Sequence, residues 1–111
     1  MAKDDYFVIV YRLLKYLYDC LKKSKQPNIE VLDAEFFGID TPYWEYILTN
    51  LEEDGLVTGI VFVSVIGRQE KGIKGVRNIK ITPKGIQYID ENSAFQKIKN
   101  AVKDIADIIP I

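Results

Sequence analysis

The chain has 111 residues and a formal net charge of −1, and its 48% hydrophobic and 28% charged content indicates one folded domain rather than a disordered or uniformly basic protein. Its single cysteine, Cys20, and the absence of histidine exclude internal disulfides, the usual zinc sites and every histidine-dependent catalytic triad. No apolar run approaches the ~18 residues of a membrane span and the start is acidic, so we expect a cytoplasmic protein without a membrane partner.

The first predicted element is a long helix over Asp4–Lys23. Its apolar residues recur at steps of three and four, as in an amphipathic helix, and they form two neighbouring rows. The rows are Phe7, Val10, Leu14, Leu17 and Leu21, and Tyr6, Ile9, Leu13, Tyr16 and Cys20. Together they make a face too wide for one neighbour, so we expect the helix to be covered from two sides, with Cys20 as a core residue.

Two shorter helices are predicted next. Ile29–Phe37 is typical of a short helical segment that Gly38 ends. A third helix runs from Pro42 to about Asp54, where Gly55 closes it, because proline suits the first turn and glycine suits the residue after the last. Its expected inner face consists of Trp44, Ile47, Leu48 and Leu51.

A β-hairpin follows, formed by Leu56–Ile66 and Val76–Thr82, which are rich in β-branched residues. The connection Gly67–Gly75 contains three glycines and is long for a turn, so we expect a mobile projecting loop.

Two further helices are predicted at the C-terminal end. Thr82 before Pro83 opens a fourth helix, with Ile86 and Ile89 facing inward, and Ser93 with Gln96 forms a capping box that opens a fifth. The fifth helix has an apolar seam of Phe95, Ile98, Val102, Ile105 and Ile109. The spacing permits packing on the first helix of the same chain or of a second subunit. We expect the second arrangement, a homodimer, with a monomer as the alternative.

The order of elements predicts an α+β fold. It is that of a winged helix-turn-helix, with a three-helix core plus a β-hairpin wing and additional C-terminal helices. Residues 1–92 form the expected winged-helix domain, and residues 93–111 form the C-terminal helix that packs on the first helix of the same or a second subunit.

Several segments resemble one known family. They are Asp4–Tyr11, Trp44–Ile47, Leu51–Gly55, Ile81–Ile86 and Glu91–Ser93. These resemble the YjcQ family, small winged-helix proteins of Gram-positive bacteria and their phages, over most of the chain up to about Lys97. Similar segments recur in winged-helix transcription regulators, so the resemblance implies a regulator as one expectation for function.

Charge is segregated along the chain. Residues 27–57 hold eight acidic and no basic residues, whereas residues 58–85 hold six basic residues and one acid, Glu70. The six basic residues are the candidate phosphate contacts to double-stranded DNA, namely Arg68, Lys71, Lys74, Arg77, Lys80 and Lys84. If these do not bind, lysines on and after the first helix are the next candidates: Lys15, Lys22, Lys23 and Lys25.

The third helix would enter the major groove in the usual docking, yet it has no basic residue. Its candidate base-reading side chains are Tyr43, Tyr46, Thr49 and Asn50, although packing on the first helix or the wing is also expected of the two tyrosines. The alternative function is a non-enzymatic protein-interaction module that uses the acidic surface of the second and third helices.

No catalytic residue, metal site, cofactor or small-molecule substrate is indicated. The glycines of Gly67–Lys74 lack the spacing and the serine or threonine of a phosphate loop. Consecutive residues diverge around a helix, so we expect Glu52, Glu53 and Asp54 to form a solvated helix end rather than a carboxylate cluster. We therefore expect a non-enzymatic protein.

Overall fold

The computed structural model describes residues 2, 4–67, 69 and 71–91. This part of the chain is α+β, as expected, with four helices and two small antiparallel sheets. The helices are α1 (Tyr6–Lys22), α2 (Ala34–Phe37), α3 (Thr41–Glu53) and α4 (Pro83–Glu91). Within the described residues, no helix is long and apolar enough to cross a membrane.

Helix α1 is the centre of the core. Both of its apolar rows contribute buried residues, and the helix packs against α4 and against the strand Lys80–Ile81, so more than one element covers it. The ends of one row, Phe7 and Leu21, are each 48% exposed, whereas Cys20 is buried in the core. Arg12 is buried on another side, with its guanidinium 4.9 Å from the ring centre of Phe37.

The segment before α3 is less helical than its sequence predicts. Only Ala34–Phe37 is helical, because Asn28 starts a turn instead: its side chain accepts the N–H of Glu30 and its carbonyl accepts the N–H of Val31. Gly38 ends α2 with φ of +70°, as predicted. Phe37 then stacks on Trp44 of α3, with ring centres 5.1 Å apart.

Helix α3 has the predicted inner face, since all four of its expected core residues are buried. It begins one residue earlier than expected, at Thr41, and Gly55 follows its end with φ of +75°. These boundaries agree closely because the residues that set them act locally.

Four short strands between Val57 and Ile81 pair as two antiparallel ladders, which together we call the ribbon. Its strands are β1 (Val57–Thr58), β2 (Val61–Ser64), β3 (Lys71–Gly75) and β4 (Lys80–Ile81). At the inner end β1 pairs with β4, Val57 opposite Ile81, and further out β2 pairs with β3, Phe62 opposite Ile73. Gly59 lies in the break between the two ladders with φ of +91°.

Two expectations for this region are wrong. The predicted loop Gly67–Gly75 contains strand β3, and most of the predicted strand Val76–Thr82 is a turn in which the N–H of Ile79 bonds the carbonyl of Val76. Gly72 lies within β3 and is packed closely there, since a Cβ at this position would lie 3.0 Å from Cγ2 of Val65. This glycine provides space rather than a turn.

Helix α4 starts as Thr82 and Pro83 predict. The Thr82 hydroxyl accepts the N–H of Gly85 at 3.0 Å and donates to the carbonyl of Gly55 at 2.5 Å, which ties the start of α4 to the end of α3. Ile86 and Ile89 pack against the core. The predicted fifth helix and its seam lie outside the described residues.

Candidate nucleic-acid interface

Exposed basic side chains occur along β3, the turn after it, β4 and the start of α4. Lys74, Arg77, Lys80 and Lys84 are all exposed, and we call them the basic ribbon surface. No acidic residue lies between Lys71 and Gly85 in the sequence. Of the other two predicted phosphate contacts, Lys71 has its backbone in β3 and Arg68 lies outside the described residues. Four of the six candidates are therefore placed at the surface.

Two acidic side chains of α3 are directed at the backbone of the ribbon. An oxygen of Glu52 accepts the N–H of Ile60 at 3.2 Å, at the break between β1 and β2. An oxygen of Glu45 accepts the N–H of Ile73 in β3 at 3.3 Å, the longer of the two bonds. Seven residues separate these glutamates, so they share one face of α3. Glu53 and Asp54 remain exposed at the C-terminal end of the helix.

The candidate base-reading residues of α3 separate into two groups. The Tyr43 hydroxyl donates to the carbonyl of Asp4 at 2.7 Å, and Thr49 donates to the carbonyl of Glu45 at 2.7 Å on the face beside the ribbon. Tyr46 is 61% exposed, and Asn50, one turn later, donates a partly exposed amide to the Tyr46 carbonyl at 2.8 Å. Of the four, Tyr46 is therefore the exposed side chain, and the partly exposed Asn50 lies one turn from it on the same face, which we call the open face. Whether either contacts a base stays a prediction.

Two aromatic residues of α1 extend this open face, although the spacing along the helix predicts both in its core rows. The rings of Tyr6 and Tyr46 meet edge to face at 6.3 Å, and those of Tyr6 and Phe7 at 5.3 Å. Burial, followed by the neighbouring Tyr46 and Asp54, raises the pKa of Tyr6 above its ordinary value. The half-exposed Phe7 could be recognised only from the position of α3, which the spacing along α1 does not give.

The described residues contain no group of three or more cysteine and acidic side chains that could hold a metal ion. The candidate interface consists of exposed cations on the ribbon, an open face on α3 without charge, and two acids of α3 that bond the ribbon backbone.

Comparison with known proteins gives a family. A model described as YjcQ protein matches residues 11–108. The chain belongs to the YjcQ family. No curated protein and no solved structure matches it.

In this YjcQ-family chain the matched region contains all of α3, the ribbon and α4. Tyr6 and Phe7 precede it, although the resemblance seen in the sequence includes Asp4–Tyr11. The basic ribbon surface and the two bonded glutamates therefore lie within the part of the chain that carries the family pattern.

Proposed function

We propose that this protein is a winged-helix protein that binds double-stranded DNA without catalysing a reaction, in the manner of a small bacterial or phage transcription regulator. The order α1, α2, α3, ribbon and α4 supports this architecture, as does the packing of α2 on α3. In this arrangement the ribbon is the wing and α3 is the helix that approaches the major groove.

The observation that carries the proposal is the separation of charge around α3. The helix and its C-terminal cap carry four acids and no base, which opposes contact with a polyanion. Glu45 and Glu52 face the ribbon backbone, so their carboxylates are withdrawn from the open face. The remaining acids, Glu53 and Asp54, lie at the C-terminal end, whereas the N-terminal half of a recognition helix normally contacts the bases.

The same two bonds place the ribbon along α3. Glu52, near the end of the helix, contacts the inner part of the ribbon, and Glu45, near its start, contacts β3 further out. The outer ribbon therefore runs toward the N-terminal half of α3. A duplex could meet the open face at Tyr46 and the exposed Lys74 from one direction, with the cations on phosphates and Tyr46 and Asn50 at base edges.

The test is a titration of the full chain against labelled mixed-sequence duplex at several salt concentrations. We expect binding that weakens steeply with salt, because phosphate contacts release counterions. A variant with Lys74→Gln, Arg77→Gln, Lys80→Gln and Lys84→Gln should lower the salt slope by about three to four units, because each phosphate that a cation neutralises contributes ~0.9.

Two controls locate the contact. Tyr46→Ala with Asn50→Ala should leave non-specific affinity nearly unchanged, because base contacts specify sequence and phosphate contacts supply most of the attraction. Glu53→Gln with Asp54→Asn should tighten binding, since two repelling charges are removed. Equal binding by the ribbon variant would move the contact elsewhere, to Lys22, Lys23 and Lys25 first.

A second candidate function is supported by the aromatic residues beside α3. Phe7 and Tyr46 are 48% and 61% exposed, and exposed acids at Asp4, Asp5 and Asp54 lie on the same elements or next to them. An aromatic surface bordered by acids suits a protein partner with basic side chains. Absence of duplex binding at low salt, where electrostatic attraction is strongest, would favour this interaction module over the DNA-binding protein.

A further inference from the structure

A cleft of about 330 Å³ lies between the C-terminal end of α1 and the start of β4. No residue of α3 lines it. Its volume is at the lower end of the range for small-molecule sites, ~300 to 1,000 Å³. It is lined by the last turns of α1, by the segment 24–27 and by the segment 78–81.

The first wall is the chain that turns back after α1. Ser24 has φ of +54°, a left-handed conformation that reverses the chain direction. The N–H of Lys25 then bonds the carbonyl of Cys20 at 2.9 Å, and the N–H of Asn28 bonds the Tyr16 hydroxyl at 2.7 Å. The segment 24–28 is therefore fixed along the side of α1.

The second wall is the segment 78–81, fixed by the Ile79–Val76 backbone bond and by the pairing of Ile81 with Val57. The side-chain amide of Gln26 donates to the carbonyl of Arg77 at 2.5 Å and joins the two walls. Fifty-one positions separate these residues in the sequence, so the cleft exists only in the folded chain.

The lining has two chemical zones. The floor consists of the buried residues Leu17, Cys20, Ile79 and Ile81, and the half-exposed Leu21 adds a further apolar side chain to the lining. The rim is polar, and Lys25 and Lys80 are both exposed there. The lining residues include two lysines and no acid, so the lining carries a net positive charge.

We propose that this cleft binds a small organic carboxylate, with its apolar body against the floor and its carboxylate between Lys25 and Lys80. The ligand would bridge α1 and the inner ribbon, because the two lysines belong to opposite walls. This binding site goes beyond the proposed DNA contact and does not depend on it, although Lys80 would serve both.

The test uses sodium octanoate as the probe, below its micelle concentration, with amide chemical shifts of the full chain as the readout. We expect saturable shifts at residues 24–27 and 78–81. Octanol lacks the charge and inorganic phosphate lacks the apolar body, so each should bind at least about fivefold more weakly. Octanoate shifts elsewhere, or equal binding of octanol, would overturn the proposal.

Two pairs of variants separate the proposed contacts from general effects of charge and stability. Lys25→Gln with Lys80→Gln should weaken octanoate binding about five- to tenfold, whereas Lys23→Gln with Lys84→Gln removes the same charge outside the cleft and should not. Leu21→Glu should repel the carboxylate, and Leu21→Gln at the same half-exposed position should retain most binding. If both members of either pair behave alike, the cleft is not an anion site.

Discussion

At Gly59 the chain takes a conformation that other residues rarely adopt, and it does so where the two ladders of the ribbon separate. Its φ is +91°, and a Cβ there would overlap the backbone carbonyl of Asn78 in the turn between β3 and β4. Backbone strain and close approach therefore both require glycine at this position.

We predict that Gly59→Ala lowers the free energy of unfolding by at least about 2 kcal/mol, measured by urea denaturation. Gly38→Ala is the matched control, since Gly38 also has a positive φ, +70°, but no atom within 4 Å of its ideal Cβ. The control should cost only about 1 kcal/mol of backbone energy. Equal losses of stability in the two variants would show that the overlap with Asn78 is relieved at no cost.

At the scale of single elements, helix ends were predictable and the ribbon was not. Thr41, Gly55 and Pro83 set the ends of α3 and α4 through local geometry, which a sequence displays directly. Gly72 looks like a loop residue in the sequence, yet it packs against Val65 inside the ribbon. The difference depends on a neighbouring strand that local reasoning does not supply.

The candidate site was predictable to a similar extent. The exposure of basic side chains in residues 58–85 was predictable, because this segment contains six lysine and arginine residues. The orientation of the α3 acids could not be predicted, because Glu45 bonds a backbone N–H 28 residues away. The side chains that line the cleft beside α1 come from segments even further apart.

The bond between α3 and the ribbon is testable at Glu52. We predict that Glu52→Ala lowers the free energy of unfolding by about 1 to 3 kcal/mol, because the N–H of the buried Ile60 is left without its acceptor. Glu53→Ala changes an exposed neighbour and should alter stability by less than about 0.5 kcal/mol. Urea denaturation measures both variants, and equal values would mean that water replaces the carboxylate.

For the molecule as a whole, buried and partly buried tyrosines predict a loss of stability in alkali. Burial is the main cause that raises the pKa of Tyr6, Tyr11, Tyr16 and Tyr43 above the ordinary value of 10.0. The unfolded chain then releases these protons at lower pH than the folded chain. Their contribution is fully present below pH 10 and is lost as pH rises through the folded values.

We expect Tyr6→Phe with Tyr11→Phe to flatten this alkaline decline. The free energy of unfolding is measured from pH 8 to pH 11 for the variant and the unmodified chain. At pH 8 the tyrosines are protonated in both states, so that measurement reports packing alone and serves as the control. Parallel curves above pH 10 would assign the decline to other groups.

Assembly is a second prediction for the whole molecule, and it depends on the sequence seam in the last nineteen residues. If that seam joins two subunits, light scattering should give twice the chain mass of 12.8 kDa. Val102→Asp with Ile105→Asp should return the protein to a monomer, because charges in a dry seam are poorly solvated. A monomer at high micromolar concentration before any substitution would contradict the homodimer.

The break in the ribbon has a consequence for its motion. Val57 and Ile81 of the inner ladder are buried, whereas Val61 and Val63 of the outer ladder are about half exposed. The outer ladder buries less of its surface than the inner one, so its amides should exchange with deuterium before those of the inner ladder, although Phe62 and Ile73 pack against the core. Lys74 would then change its position while the inner ladder stays paired. The ribbon would thereby adapt to a curved or unevenly spaced partner.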